Sequence, residues 1–120
     1  MALMDENYPF IENINAVMER LGGNEALLKR LLKKFHDAYI DTGKTLLTEI
    51  ESSNQEESYR IVHTLKGVSA NLGFGQLYRN AIALETRMKA GNYDSIQEET
   101  TVFIMELDAV IHEMETVGCC

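Results

Sequence analysis

Apolar residues recur every third or fourth position along most of the chain, the spacing that places them on one face of an α-helix. No stretch alternates apolar and polar residues in the way that predicts a β-strand. Turn residues such as Gly22-Gly23 and Gly91 divide the pattern into five helical stretches. We expect helices over residues 9–21, about 25–51, 54–72, about 76–90, and a fifth that begins after residue 94.

Capping patterns and one glycine refine these boundaries. Ser53, with Glu56 three residues later, forms a capping box before the third helix, and Asp94 with Gln97 repeats the pattern before the fifth. Gly43 lies inside the second helix, where glycine costs about 1 kcal/mol relative to alanine, so we expect a local weakness there rather than a break. The apolar stripes of the second and fifth helices include Leu47, Val102 and Met105.

The connections between these helices are only a few residues long, which makes consecutive helices antiparallel neighbours. The sequence therefore predicts an all-α fold: an antiparallel up-down-up-down four-helix bundle with an additional short N-terminal helix opened by Pro9. We expect a single domain over residues 1–120, with about eight N-terminal and about five C-terminal residues frayed.

Composition and charge narrow the classes of function. Of the 120 residues, 45% are hydrophobic and 25% charged, which is typical of a globular domain rather than a disordered chain. The net charge of −8 argues against nucleic acid or an anionic membrane as the main partner. No apolar run reaches membrane-spanning length and no signal-peptide pattern opens the chain, so we expect a cytoplasmic protein. We also expect it to be a monomer. Cys119 and Cys120 are adjacent and lack nearby ligands, so we expect no metal site there.

The third helix has an unusual outer face. Its predicted core seam consists of Ile61, Leu65, Val68 and Leu72, flanked by Val62 and Ser69. The opposite face carries His63 together with Tyr59, Lys66, Gly67 and Ala70. Solvent faces of helices usually carry long polar side chains, yet this one narrows to glycine and alanine beside a histidine.

These outer residues suggest a chemical role for the imidazole. Gly67 weakens the helix, so we expect the missing side chain one turn from His63 to have a role: it leaves the ring accessible, or it allows a packing contact with another helix. Lys66 supplies a positive charge on the same side. The pattern indicates an imidazole prepared to bear an anion, for which a phosphoryl group fits best. His36 and His112 have no such glycine gap, and we expect both to be structural or solvated.

The segment over residues 63–73, HTLKGVSANLG, resembles the signature of histidine-containing phosphotransfer (HPt) domains. The Leu21-Gly22-Gly23 turn is similar to the turn between the first two helices of that family, and the resemblance spans about residues 10–114. It implies that a receiver-domain aspartate phosphorylates His63, which passes the group to another receiver. It also implies roles for further residues: Lys66 neutralises the phosphoryl group, Gly67 keeps the ring reachable, Tyr59, Ala70 and Gly73 form the receiver-docking face, and Ser69 packs.

One position departs from some members of the family. They carry a glutamine that hydrogen-bonds the imidazole 22 residues beyond it, where this chain has Glu85. A carboxylate can accept a hydrogen bond from the ring N–H and fix its tautomer. The alternatives are that Glu85 is solvated or paired with an arginine, and that Arg87 or Gln76 contacts the ring.

The resemblance also defines partners and competing interpretations. The sequence has no carboxylate pair for magnesium and no phosphate-binding glycine loop, so we expect a phosphate carrier without kinase activity or cofactor, with Mg²⁺ bound by the partner receiver. The implied partners are response-regulator receiver domains and a sensor histidine kinase, with a hybrid kinase as one possibility.

The alternative to a phosphotransfer protein is a helical docking module without phosphate chemistry. A metal enzyme in a bundle requires Glu-x-x-His pairs, which the chain lacks. A free-standing protein and a domain of a larger kinase remain open.

Overall fold

The computed structural model describes residues 7–118, and within them the chain is helical without a strand. Cys119 and Cys120, and the first six residues expected to fray, lie outside the described residues. A 3₁₀ turn over Tyr93–Ser95 precedes the last helix. The α-helices between residues 14 and 116 are α1 (Ile14–Arg20), α2 (Glu25–Tyr39), α3 (Thr42–Glu51), α4 (Gln55–Leu72), α5 (Gly75–Lys89) and α6 (Gln97–Thr116).

Asparagine side chains cap three of these helices. Asn13, Asn24 and Asn54 each accept a hydrogen bond from a free backbone N–H in the first turn of α1, α2 and α4. The predicted cap at Ser53 is therefore wrong by one residue, because Ser53 adopts a left-handed conformation with φ 59° and ends the preceding turn. The predicted cap at Asp94 is also wrong, since Asp94 lies in the 3₁₀ turn and α6 begins at Gln97 without a side-chain cap.

The predicted long second helix is two helices, so the expectation of an unbroken helix is wrong. The break lies at Ile40-Asp41, two residues before Gly43. Gly43 itself is buried inside α3, and a Cβ placed there would lie 3.0 Å from Cγ2 of Ile104 on α6. The glycine thus allows α3 to approach α6 closely.

The segment before α1 belongs to the core. The predicted helix start at Pro9 is wrong, because α1 begins at Ile14 after the Asn13 cap. Tyr8 lies within the stretch expected to fray, yet its ring is buried edge-on to Phe10, and its hydroxyl donates to Glu25 Oε2 at 2.9 Å. The aromatic cluster continues from Phe10 into the bundle through Phe74 and Phe35.

The helices pack as a bundle around one apolar core. α4 packs against α5 and α3, and α6 packs against α5, α3 and α2. The all-α fold is confirmed, while the up-down-up-down order stays a prediction. Three residues of the predicted apolar stripes are exposed instead of buried: Leu47 (46%), Val102 (44%) and Met105 (66%). No helix in the described part of the chain is long and apolar enough to cross a membrane.

The C-terminal end of α4 is fixed by α1 and its flanks. Arg20 donates to the backbone oxygen of Asn71 at 2.6 Å, and the backbone N–H of Glu12 donates to the oxygen of Gly73 at 2.8 Å. Gly73 has a φ of 77°, and a Cβ there would lie 2.8 Å from Val17 Cγ2. Only glycine fits both the left-handed turn and this contact, which holds the end of the helix that carries His63.

Candidate functional site

His63 projects from the outer face of α4, as predicted, with 57% of its side chain exposed. Its helix buries the opposite face against the bundle. The buried residues of that face are Ser58, Ile61, Val62, Leu65, Ser69 and Leu72. The predicted seam was therefore slightly misplaced: Val62 and Ser69 are fully buried, whereas Val68 is only half-buried. Ser69 packs in the core as expected.

Glu85 on α5 is the centre of the site. Its side chain is 5% exposed, and Oε2 lies 2.7 Å from His63 Nδ1. The other carboxylate oxygen accepts from Lys66 Nζ at 2.7 Å and pairs with Lys89 Nζ at 3.3 Å. One nearly buried carboxylate thus contacts the imidazole and two ammonium groups, so Glu85 is neither solvated nor paired with an arginine.

The charges around Glu85 determine its protonation. Burial raises the pKa of its carboxyl, but hydrogen bonds from Lys66, His63 and Lys89 outweigh burial and lower the pKa to about 2. The carboxylate is therefore ionised at neutral pH and can only accept hydrogen bonds. It follows that His63 Nδ1 carries the proton in this contact, which leaves the lone pair of a neutral imidazole on Nε2.

The surroundings of the imidazole differ on its two sides. The ring of Tyr59 stacks on it, with centroids 5.6 Å apart and an interplanar angle of 13°. One turn further along α4, Gly67 is exposed, and a Cβ placed there would meet no atom within 4 Å. Ala70 is exposed beyond it. The ring is thus supported on the Tyr59 side and open on the Gly67 side.

The structure separates the remaining candidates from the ring. Arg87 donates to the backbone and hydroxyl oxygens of Ser95, and Gln76 contacts Asn80 and Arg79, so neither replaces Glu85. Gly73 has the turn and packing role described above, and its predicted place on a docking face stays a prediction.

Lys89 was missed by the sequence analysis. Its position four residues after Glu85 on one helix was the available signal, because residues i and i+4 are neighbours on a helix surface. This spacing could not assign Lys89 to the site until Glu85 was known to face the imidazole rather than solvent.

The other two histidines lie elsewhere. His36 on α2 is mostly buried, with Nε2 2.7 Å from Glu115 Oε2 on α6 and Nδ1 3.0 Å from Asp37 Oδ1. His36 is therefore a structural residue that joins two helices, and His112 is exposed. Within residues 7–118, no group of three or more His, Cys, Asp or Glu side chains could hold a metal ion.

Fold and site together define a helical domain with an exposed imidazole whose Nδ1 contacts a nearly buried carboxylate, and the same carboxylate pairs with two lysines. A family model for the Hpt domain matches residues 10–116. The chain belongs to the Hpt domain family, whose members carry out phosphotransfer in two-component phosphorelays and interact with receiver domains and histidine kinases. Searches of curated proteins and of solved structures each gave no significant match.

Proposed function

We propose that His63 is the phosphoacceptor of this domain, taking a phosphoryl group from a receiver aspartate and passing it to the aspartate of another receiver. The contact between His63 Nδ1 and Glu85 carries this proposal, because it orients the ring and leaves Nε2 as the nucleophile towards solvent. Neither His36 nor His112 has a comparable arrangement of an exposed ring on a buried carboxylate.

The transfer needs no separate proton acceptor. The Nε2 lone pair attacks phosphorus, a P–N bond forms, the P–O bond to the aspartate carboxylate breaks, and that carboxylate leaves as an anion. The phosphorylated ring retains its Nδ1 proton and is positively charged, and the Glu85 carboxylate 2.7 Å away stabilises that charge. The reverse step transfers the group to the next receiver by the same route.

Two lysines supply the positive charge for the phosphoryl oxygens. Lys66 and Lys89 both pair with Glu85, so the resting site holds one carboxylate and two ammonium groups. The excess positive charge favours a phosphoryl dianion, and both side chains retain partial exposure from which to reach it. Lys66 is the more restricted of the two, because only 26% of its side chain is exposed.

The open side of the ring is the proposed approach for the receiver. Gly67 and Ala70 continue the exposed face of α4 beyond His63 without long side chains, which leaves room for a second backbone. Tyr59 borders the ring on the other side. Gly73 contributes to this docking face indirectly, because it holds the C-terminal end of α4 in place.

The chain acts in this proposal as a carrier without kinase activity. It needs no cofactor, and the Mg²⁺ that assists transfer is bound by the receiver. The partners are response-regulator receiver domains and a sensor histidine kinase, and we propose that the protein works as a cytoplasmic monomer. A helical docking module without phosphate chemistry is the competing function.

Incubation with a panel of phosphorylated receiver domains tests the proposed function. We expect at least one receiver to transfer phosphate to this chain in an acid-labile form that base does not remove, which is the behaviour of phosphohistidine. An unphosphorylated receiver domain added afterwards should then take the label from the chain. Binding of receivers without transfer from any of them would favour the docking module.

A further inference from the structure

A groove between α3 and α6 has exposed apolar side chains on its rim. Leu47 on α3 and Met105 on α6 border it, and both are large side chains left open to solvent. Its volume is about 460 Å³. The apolar side chains that line it are Leu47, Ile50, Ile96, Ile104 and Met105. Exposed apolar surface of this kind, bordered by polar residues, is typical of an interaction site.

The groove lies away from the phosphotransfer site. The imidazole and its carboxylate stand on α4 and α5, whereas the groove is formed by α3 and α6 and the turn before α6. Since α4 packs on α3 and α5 packs on α6, these two helix pairs are opposite sides of the bundle. None of the residues that contact His63 or Glu85 lines the groove, so a partner there leaves His63 accessible.

The charge of the groove selects its occupant. The charged residues that line it are Glu51 and Asp94, and within the described residues no lysine or arginine does so. A second copy of this chain, with its own net charge of −8, would bring four carboxylates together at such an interface. Charge complementarity instead favours a basic partner.

We infer that the α3/α6 groove binds an amphipathic helix of another protein, with an apolar stripe flanked by lysine or arginine. Two helices with a groove between them accept a third helix, whose side-chain ridge fills the groove. Apolar residues at i, i+3/i+4 and i+7 meet Leu47, Ile104 and Met105, and the basic flanks meet Glu51 and Asp94. The flexible Met105 side chain adapts to the shape of the stripe.

A synthetic 18-residue helix with a leucine stripe and lysines at all other positions is the probe for this site. Titration into the isotope-labelled protein, followed by NMR, should shift the methyl signals of Leu47, Ile104 and Met105 more than other methyl signals. Replacing every lysine of the probe by glutamate should weaken binding at least tenfold. Added salt should weaken the binding of the lysine probe as well.

Two aspartate variants separate the apolar contact from simple charge attraction. Leu47→Asp should lower the affinity for the lysine probe at least tenfold. Val102→Asp, at an equally exposed position outside the groove, should leave that affinity unchanged or slightly higher. Both changes add the same negative charge, so attraction to the probe cannot explain a difference between them. Met105→Asp provides the same test from the α6 side.

Three results would overturn the inference. Equal probe affinity for Leu47→Asp and Val102→Asp would show that the apolar contact at Leu47 does not contribute to binding. Methyl shifts centred on the His63 face would place the probe elsewhere. A dimer in sedimentation that Leu47→Asp dissociates would make a second copy the occupant. Phosphate acceptance by Leu47→Asp provides a separate readout, which should match that of the unaltered protein.

Discussion

His63 Nδ1 lies 2.7 Å from Glu85 Oε2, a contact that joins α4 to α5 across 22 residues of sequence. It places a mostly exposed ring on a nearly buried carboxylate. The ring is thereby oriented by a group that solvent screens little, while its second nitrogen stays available. The same carboxylate holds Lys66 and Lys89, so orientation of the nucleophile and supply of positive charge depend on one side chain.

Removal of the Glu85 charge should change stability in acid. The carboxyl has a folded pKa of about 2 against an ordinary value of 4.5, so its contribution to stability is complete above pH 4.5 and is lost as pH falls towards 2. Glu85→Gln should therefore reduce the acid-induced loss of stability, as measured by urea unfolding at pH 5 and pH 3. It should also slow phosphotransfer, and Glu85→Ala should slow it further because no acceptor for Nδ1–H remains.

Glu106 on α6 is the matched control for that pH dependence. Burial raises the pKa of its carboxyl, so its contribution to stability falls as pH rises through the folded value. Glu106→Gln should therefore steepen the acid-induced loss of stability where Glu85→Gln reduces it. The same slope in both variants would show that Glu85 is not ionised through its lysine and histidine contacts.

The two lysines should differ in what their removal changes. Lys66→Ala and Lys89→Ala should each slow transfer by about tenfold, the effect of losing one charged hydrogen bond to the phosphoryl group. Lys66→Ala should lower the melting temperature more, because its 2.7 Å contact with Glu85 is less exposed to solvent. Lys29→Ala, at an exposed position on α2, is the control. Transfer rates equal to that control would assign both lysines a purely structural role.

The space beside the imidazole should be needed for transfer and not for folding. Gly67→Gln should raise the melting temperature slightly, since glutamine improves helix propensity by about 0.5 kcal/mol and its Cβ meets no atom within 4 Å, while transfer from a receiver falls sharply. Gly43→Ala is the contrasting case, because its methyl group meets Ile104 at 3.0 Å and should stabilise less than Gly67→Ala. A Gly67→Gln protein that is stable and fully active would show that the space serves no partner.

His36 should make stability depend on pH near neutrality. Its pKa is raised by hydrogen bonds to Glu115 and Asp37, so its contribution is complete below about pH 6.5 and is lost as pH rises through the folded value. His36→Gln should therefore remove part of the loss in unfolding free energy between pH 6 and pH 8.5. His112→Gln, at an exposed position on α6, should follow the unaltered protein. Identical pH profiles for the two variants would contradict the bridge between α2 and α6.

The helices and the acceptor face followed from periodicity, whereas the break and the exposed stripe residues did not. His63 and Gly67 lie on the face that the spacing of α4 predicted, because an apolar seam determines which residues point away from it. The break at Ile40-Asp41 has no glycine or proline to mark it in the sequence, and the contact of Gly43 with Ile104 on α6 joins residues far apart in the chain. Periodicity also shows that Leu47 belongs to an apolar stripe. It does not show whether another helix covers that residue, and in the structure Leu47 is exposed.

The site was predictable only in part, for a related reason. Glu85 was found through the spacing of a family motif. Its ionisation depends on its burial and on its simultaneous contacts with Lys66, Lys89 and His63, which that spacing does not show. Lys89 became meaningful only with that geometry. The Asn54 cap was missed because Ser53 offers an equally suitable sequence, and the left-handed turn at Ser53 decides between them.

The central claim, that His63 bears the phosphoryl group, is tested most directly by single replacement of each histidine. His63→Gln, His36→Gln and His112→Gln are each incubated with a phosphorylated receiver that labels the unaltered chain, and acid-labile phosphate is measured alongside the helical circular dichroism signal. We expect no label on His63→Gln and unchanged labelling of the other two, because among the three histidines, all within residues 7–118, His63 alone combines a mostly exposed ring with a nearly buried carboxylate at Nδ1. Full labelling of a folded His63→Gln protein would contradict the account.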